Sequence, residues 1–303
     1  MVEEGLRGGL EQNVSMSRYV SWRAGGVARS AYTPADLDDL SMFMAQLPVD
    51  EPVWLVGLGS NLLVRDGGLD ATIVFMHPGI GEIKKIPSDL PGHEVIYAQA
   101  GAASPKVARF CAKHGLAGGT FLAGIPGTIG GALAMNAGCF GSQTWNFVDE
   151  VHTINRQGVI QRRNPEDFEV CYRSVRSKLE VEEWFVGATL AFEKTDPELV
   201  REEIRTLMTS RLKSQPLDWP NSGSVFRNPP GDYAARLIEE SGLKGFGIGG
   251  AQVSHKHANF IINTGGASAT DIEAVIEAME EAVLNRFGIK LVREVRIIGV
   301  RTR

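Results

Sequence analysis

Residues 115–141 read GLAGGTFLAGIPGTIGGALAMNAGCFG, and the rest of the chain is best understood from this glycine-rich stretch outward. Glycine lets the main chain approach a ligand closely but loses much backbone entropy on folding, so a run of this kind needs a physical reason. Backbone N–H groups facing a bulky anionic ligand would supply that reason, with the intervening aliphatic residues forming a pocket wall. A buried turn region in which backbones pack on each other is the alternative.

Length and composition predict more than one domain and a small-molecule partner. The chain has 303 residues, 43% of them hydrophobic, which suits two or three domains. The net charge of −5 offers no general attraction to nucleic acid or to anionic membranes. There is no run of about 18 apolar residues, the length that a membrane-spanning helix requires. We therefore expect no nucleic-acid partner and no membrane insertion.

The cysteines and the first residues predict a cytoplasmic protein. Cys111, Cys139 and Cys171 are odd in number and lack a metal-binding or redox spacing, so we expect free, buried thiols in a reducing compartment. The first residues, MVEEGLRGG, carry acidic groups and no apolar core, unlike a signal peptide. His255 and His257 suggest a metal site only weakly, because no third ligand at suitable spacing accompanies them.

Hydrophobic periodicity predicts mixed helices and strands. The predicted strands are residues 29–32, 52–56, 72–76, 95–98, 151–155, 159–161, 185–192, 258–263 and 291–300. Helices are expected from Thr33–Pro34 to Pro48, from Ser104–Pro105 to a cap at Gly115, from Pro197 onward, over Tyr233–Ser241 and from Asp271. The helix after Pro197 is expected to bury one face, formed by Leu199, Val200, Ile204, Leu207, Met208 and Leu212.

A second glycine-rich turn follows the strand at residues 52–56. It reads GLGSNL over Gly57–Leu62, but it has no lysine and no good helix pattern after it, so it is neither a P-loop nor a dinucleotide fingerprint. Two such segments suit a long ligand. A dinucleotide whose pyrophosphate is held by backbone amides of both segments would use them together.

Ordered motifs along nearly the whole chain resemble the UDP-N-acetylenolpyruvoylglucosamine reductases, flavoenzymes also called UDP-N-acetylmuramate dehydrogenases. The motifs are WRAGG at 22–26, GLGSNLLV at 57–64, AGIPGTIGGA at 123–132, MNAG at 135–138, YRS at 172–174, KSQP at 213–216, GSVFRNP at 223–229, HANFIIN at 257–263 and EVR at 294–296. Together they are specific, although each alone is weak.

The resemblance implies an α+β fold, with an FAD-binding part of the vanillyl-alcohol-oxidase-like type. Its two α/β subdomains would be residues 1–78 and 79–213, and an α+β substrate domain would be residues 214–303, with the last strand returning to the active site. The implied reaction is NADPH-dependent reduction of UDP-N-acetylglucosamine enolpyruvate to UDP-N-acetylmuramate through non-covalent FAD, in peptidoglycan precursor synthesis.

The resemblance also implies site residues. Arg173 would stabilise the enolate beside the substrate carboxylate, Ser224 would donate the proton, and Glu294 would act with Arg173. Substrate would be bound by Lys213 and Asn228. FAD would be bound by Gly57, Gly59, Ser60, Asn61, Leu62, Gly124, Ile125, Pro126, Gly127, Thr128, Gly130, Gly131, Asn136 and Gly138.

Other interpretations stay open from the residues alone. Ser224 fits an ordinary glycine turn, Arg173 a surface arginine, and Glu294 an exposed charge between two arginines. An FAD oxidase of the same fold and a nucleotide-sugar-binding protein without redox activity are the rival functions.

Departures from the family pattern also occur. Cys139 and Phe140 stand where Ala-Tyr is usual, and Arg293 stands where proline is common. The chain has no room between Leu190 and Pro197 for a tyrosine-bearing insertion, so it resembles the shorter subclass.

Overall fold

The computed structural model describes residues 5–88 and 90–302, and its contacts divide the chain into two compact units. The first unit comprises the chain up to Glu11, Ser30–Leu58 and Ala71–Ser210. The second unit comprises Gln12–Arg29, Gly59–Asp70 and the chain from Arg211 onward. Both units are therefore built from separate stretches of sequence.

Helices and strands alternate through both units. The strands are β1 Gly9–Ser15, β2 Val27–Thr33, β3 Val53–Val56, β4 Leu62–Val64, β5 Leu69–Phe75, β6 Ile83–Ile86, β7 His93–Gln99, β8 Gly138–Cys139, β9 Ser142–Gln143, β10 Val148–Asn155, β11 Ile160–Arg163, β12 Phe168–Cys171, β13 Ser174–Ser177, β14 Glu183–Glu193, β15 Gly247–Ile248, β16 Ala251–Val253, β17 Ile261–Asn263 and β18 Arg296–Ile298. The helices are α1 Leu37–Gln46, α2 Ser104–His114, α3 Ile129–Ala134, α4 Pro197–Ser214, α5 Ala234–Glu240 and α6 Ala269–Phe287.

A four-stranded sheet has the order β1-β2-β5-β3, with β3 and β5 parallel. Helix α1 buries Leu40, Phe43 and Met44 in the same apolar cluster as residues of these strands. The predicted start of α1 was wrong. Thr33 still belongs to β2, and the N-cap is Asp36, whose carboxylate accepts from Asp39 N at 3.0 Å.

A five-stranded sheet with the order β11-β10-β14-β7-β6 forms the larger part of the first unit. Helices α2 and α3 share one core with it, which includes Val107, Cys111, Ile129 and Leu133. The cap predicted for α2 is confirmed, because Gly115 adopts a left-handed φ of 64° at its C-terminus. This end leads directly into the glycine-rich stretch.

In the second unit, helix α6 supplies the largest share of the core. Ser268 and Asp271 form a reciprocal capping box at its N-terminus, with both hydrogen bonds near 3 Å. Its buried apolar residues are Ala269, Ile272, Val275, Ile276, Met279 and Val283, and Glu273 is buried with them. Strands β4 and β18 pair in parallel, with Leu62 opposite Arg296. This pairing joins the GLGSNL turn to the segment that contains Glu294.

Several expectations need correction. Leu199 and Leu212 are 65% and 58% exposed, so the buried face of α4 does not include them. Cys111 is free and buried, but Cys171 is exposed. The strand expected at residues 258–263 begins only at Ile261, because Ala258 and Asn259 form a turn. The closing strand is confined to Arg296–Ile298. In the part of the chain that the structure describes, no helix is long and apolar enough to cross a membrane.

Candidate active site

The glycine-rich stretch 115–141 folds as short helical turns. Residues 119–124 form a 3₁₀ helix, and residues 129–134 form α3. The N–H of Ile129 donates to Ala102 O at 2.9 Å, and the N–H of Gly130 donates to Ala100 O at 2.8 Å. These two amides therefore hold the stretch to the segment that precedes α2. Gly130 was expected to direct its N–H toward an anionic ligand, but this N–H already donates to Ala100 O.

Gly131 is the glycine in this stretch that most clearly fits a bound cofactor. It lies exposed inside α3, where glycine costs about 1 kcal/mol relative to alanine. A Cβ added here would meet only Thr128 Oγ1, at 4.0 Å. No atom of residues 5–88 or 90–302 therefore requires glycine at this position, whereas a ligand lying over α3 would. This open cradle is the feature of the described chain that fits FAD.

Gly57 has a different reason to be glycine. A Cβ on Gly57 would overlap the side chain of Thr128, so the two predicted FAD-binding segments touch at this point in the first unit. Residues Gly59–Leu62 belong to the second unit. There, Gly59 has φ of 59°, and a Cβ on it would overlap Tyr19 O.

Arg173 lies at the tip of the β12–β13 hairpin. Cys171 and Ser174 are paired, so Tyr172 and Arg173 form a two-residue turn, and Arg173 has a left-handed φ of 54°. Such a conformation is uncommon for a residue with a long side chain and is often found at functional sites. The Arg173 guanidinium donates from Nη1 to Asn136 O at 3.2 Å and from Nη2 to Gly138 O at 2.6 Å. Arg173 is thus oriented by the glycine-rich stretch and is not a simple surface arginine.

Asn136 connects the glycine-rich stretch to this hairpin. It is 1% exposed and has φ of 39°, and its Nδ2 donates to Gln143 Oε1 at 3.1 Å and to Cys171 O at 3.3 Å. Its Oδ1 accepts from Trp145 N at 3.2 Å. A buried amide with these partners has a structural role in addition to any contact with FAD.

Ser224 and Glu294 lie on neighbouring segments of the second unit. Glu294 N donates to Val225 O at 2.8 Å, Arg227 N donates to Val292 O at 2.9 Å, and Phe226 forms a bridge with Arg293. The two predicted catalytic residues are therefore brought together. The guanidinium of Arg293 pairs with Glu280, at 2.6 Å for both hydrogen bonds.

The GLGSNL turn reaches the same place. Asn61 Nδ2 donates to Glu294 O at 3.1 Å, and Asn61 O accepts from Arg296 N at 3.0 Å. The predicted FAD-binding residues Asn61 and Leu62 are consequently fixed beside the predicted catalytic glutamate.

The two predicted substrate-binding residues are exposed. Lys213 lies in the last turn of α4. Asn228 Oδ1 accepts from Ala234 N at 3.1 Å, at the start of α5, so its carbonyl oxygen already has a partner within the protein. The Nδ2 group of Asn228 is the donor left for a substrate oxygen.

Asn259 is a residue that sequence reasoning missed. It is 2% exposed and makes three hydrogen bonds to Val225 and Phe226, the two residues after Ser224. The available signal was a polar side chain within the apolar run ANFII, since buried amides need partners.

Two family models match this chain. The FAD binding domain family matches residues 29–164, and the C-terminal domain family of UDP-N-acetylenolpyruvoylglucosamine reductase matches residues 215–298. A UDP-N-acetylenolpyruvoylglucosamine reductase from Thiobacillus denitrificans is 55% identical, over 98% of this chain and 94% of its own length. The chain belongs to the UDP-N-acetylenolpyruvoylglucosamine reductase family.

Further members of the reductase family agree with this assignment. The protein of that name from Nitrosospira multiformis is 51% identical, over 99% of this chain and 91% of its own. The crystal structure of UDP-N-acetylenolpyruvylglucosamine reductase from Thermus caldophilus superposes with a TM-score of 0.78 at 28% identity, covering 96% of this chain and 99% of that one. The expected family, the α+β FAD-binding fold class and the FAD-dependent oxidoreductase assignment are confirmed.

Proposed function

We propose that this chain reduces UDP-N-acetylglucosamine enolpyruvate to UDP-N-acetylmuramate with NADPH, and that Arg173, Ser224 and Glu294 act on the substrate. Membership in the reductase family over almost the whole chain carries the activity. The reaction belongs to peptidoglycan precursor synthesis and thus to cell-wall biogenesis. The residue roles are supported by the two arrangements described above, one around Arg173 and one around Ser224 and Glu294.

Bound FAD would supply the hydride-transfer chemistry between NADPH and the terminal alkene carbon of the enolpyruvyl group. The backbone around Gly131 and the GLGSNL turn would hold this cofactor. The open space beside Gly131 supports the first segment, and the resemblance to the reductase family supports the second. Addition of hydride leaves negative charge on the carbon that carries the carboxylate, so the protein has to stabilise that charge and then protonate the carbon.

In this proposal Arg173 stabilises the charge. Its guanidinium is permanently charged and planar, which suits an enolate beside a carboxylate. The hydrogen bonds to Asn136 O and Gly138 O fix the plane of the guanidinium before substrate arrives. Lys213 and Asn228 are proposed to bind the substrate's phosphates and carboxylate.

Ser224 is proposed to donate the proton. A C–H bond forms at the carbon beside the carboxylate while the serine O–H bond breaks, and the hydroxyl then regains a proton from water or a neighbouring acid. Glu294 is proposed to assist from the adjacent segment, since its main chain is bonded to Val225.

The two half-reactions test this proposal separately. We expect NADPH to bleach the flavin of the purified protein under anaerobic conditions, and the enolpyruvyl nucleotide to restore its colour. Reoxidation by oxygen but not by the nucleotide would favour an oxidase. Colourless protein that releases no flavin on denaturation would favour a binding protein.

Ser224→Ala tests the proton donor, with Ser222→Ala as a matched control in the same loop. Ser222 is buried, and its hydroxyl is bonded to Ser21 Oγ at 2.9 Å. For Ser224→Ala we expect flavin reduction by NADPH to persist while product formation falls by about 10²-fold or more. Equal loss in both half-reactions, or a similar loss in the control, would show that Ser224 is not the donor.

We also propose a cytoplasmic location, the shorter subclass, and the three-domain division at residues 1–78, 79–213 and 214–303. The three cysteines, none of which forms a disulfide in the described residues, support the location. Cell fractionation with separate release of the periplasm tests it. Limited proteolysis with mass spectrometry tests the boundaries, because cleavage near residues 78 and 213 is expected first. Cleavage elsewhere would contradict this division.

A further inference from the structure

Asn259 binds the main chain directly after Ser224. It lies in the turn between β16 and β17. Its Oδ1 accepts from Phe226 N at 3.0 Å, its Nδ2 donates to Phe226 O at 2.8 Å, and its main-chain oxygen accepts from Val225 N at 2.9 Å. A single buried residue thus provides partners for three main-chain polar groups of this segment: the N–H of Val225 and both the N–H and the C=O of Phe226.

The opposite side of the same segment is bound by the stretch that contains Glu294. Val225 O accepts from Glu294 N at 2.8 Å, and Arg227 N donates to Val292 O at 2.9 Å. The side-chain amide of Asn259 therefore takes the place of a neighbouring strand, since it offers one donor and one acceptor as a peptide group does. Val225 and Phe226 are held from both sides.

The residues before Ser224 are held differently. Gly223 has φ of 73° and donates its N–H to Asn221 Oδ1 at 2.9 Å. Glycine allows more backbone conformations than other residues, so this side gives Ser224 less restraint. The direction of the Ser224 side chain consequently depends on the bonds that follow it, three of which come from Asn259.

We propose that Asn259 is a positioning residue for the protonation step, which rests on the proposed role of Ser224. Asn259 acts through the backbone of Val225 and Phe226, and it fixes where the Ser224 hydroxyl points. A displacement of about 1 Å at a reacting group can cost about 10²-fold in rate. Loss of Asn259 should therefore slow proton transfer specifically, beyond its cost in stability.

Asn259→Ala in the FAD-loaded enzyme tests this proposal by stopped-flow measurement of both half-reactions. We expect flavin reduction by NADPH to stay close to the wild-type rate. Reoxidation by the enolpyruvyl nucleotide should fall about tenfold to hundredfold, because the hydroxyl is no longer held in place. The solvent deuterium isotope effect on reoxidation should increase, because proton transfer becomes the slowest step.

Asn263→Ala is the matched control. Asn263 is 6% exposed, lies in the same unit and makes three side-chain hydrogen bonds, to Trp22 O at 2.9 Å, Gly265 N at 2.9 Å and Ala267 N at 3.2 Å, compared with the two that the Asn259 side chain makes to Phe226. We expect this variant to lose stability without a larger isotope effect. If Asn259→Ala does not fold, Asn259→Asp keeps the acceptor for Phe226 N but loses the donor to Phe226 O, and the same isotope effect is expected.

The double variant Ser224→Ala/Asn259→Ala distinguishes the positioning role of Asn259 from the proton-donor role of Ser224. If Asn259 acts through Ser224, adding Asn259→Ala to Ser224→Ala should slow reoxidation no further. Additive losses, or an isotope effect equal to that of Asn263→Ala, would overturn the positioning role and leave Ser224 as the donor. An unimpaired Ser224→Ala enzyme would instead overturn the proposed function.

Discussion

Glu273 provides the strongest quantitative test of the second unit. It is a helix α6 residue with a side chain only 6% exposed, and Arg65 binds its carboxylate through two hydrogen bonds of 2.9 and 2.8 Å. Arg301 adds a third at 2.8 Å. The Arg65 hydrogen bonds are the largest cause that lowers the pKa of Glu273 from 4.5 to about 2.

The magnitude of the Glu273→Gln effect follows from this pKa. The difference between 4.5 in the unfolded chain and about 2 in the folded protein corresponds to about 3 kcal/mol of stability at neutral pH. Because the folded pKa is the lower one, this stabilisation is present above pH 4.5 and is lost as the pH falls through about 2. About 2 kcal/mol of it should already be lost at pH 3.

Urea unfolding at pH 7, 5, 4 and 3, at one fixed FAD concentration, measures the effect. We expect Glu273→Gln to lower the free energy of unfolding by about 3 kcal/mol at pH 7 and by about 1 kcal/mol at pH 3. Glu277→Gln is the control, since Glu277 is on the same helix but half exposed and also bonded to Arg301. Its effect should stay below about 1 kcal/mol. A pH-independent difference for Glu273→Gln would refute the reasoning.

Three further changes test the candidate site. Gly131→Ala should leave the apoprotein as stable as the wild type or up to about 1 kcal/mol more stable. It should weaken FAD binding at least about tenfold in a fluorescence titration, because the added Cβ fills the open cradle. Unchanged FAD affinity would show that FAD does not bind at this surface. Arg173→Lys should keep flavin reduction by NADPH but slow reoxidation by the nucleotide about tenfold to hundredfold in stopped-flow, since lysine lacks the planar guanidinium. Reoxidation near the wild-type rate would contradict the proposed role of Arg173 in stabilising the enolate. Gly59→Ala should lower the free energy of unfolding by more than about 1 kcal/mol, because alanine disfavours the left-handed backbone conformation and its Cβ would overlap Tyr19 O. No change in urea unfolding would show that the turn adopts another backbone conformation without cost.

Local signals explain what the sequence could predict about the fold. Helix α2 was predicted closely, because Ser104–Pro105 and Gly115 mark its ends within the chain itself. Leu199 and Leu212 were placed wrongly, because helical spacing does not say which residues meet a neighbouring element. The start of α1 was predicted wrongly because Thr33 is the last residue of β2. Pairing between strands, which the local sequence does not show, determines this boundary.

In the candidate site, too, local sequence signals predicted some features, whereas features that depend on tertiary contacts were missed. The resemblance predicted Arg173, Ser224 and Glu294 as catalytic residues. The proximity of Ser224 to Glu294 depends on pairing between segments far apart in sequence. The hairpin that presents Arg173 was not predicted, since its turn has no glycine and its strands are only four residues each. Asn259 could not be identified from spacing, because its partners Phe226 and Val225 lie 33 and 34 positions earlier in the chain.

The parallel pairing of β4 with β18 has a consequence for the order of folding. Asn61 and Glu294 are 233 positions apart. The GLGSNL turn therefore cannot form its bonds to the β18 segment until that segment has been synthesised. Contacts of such long sequence separation form late, after the cost of loop closure has been met. A ribosome-bound chain stopped before residue 296 should therefore contain a folded first sheet and helix α2 but an unfinished turn. Because the GLGSNL turn is proposed to hold FAD, the flavin content of the purified protein should then report whether the full-length chain has folded.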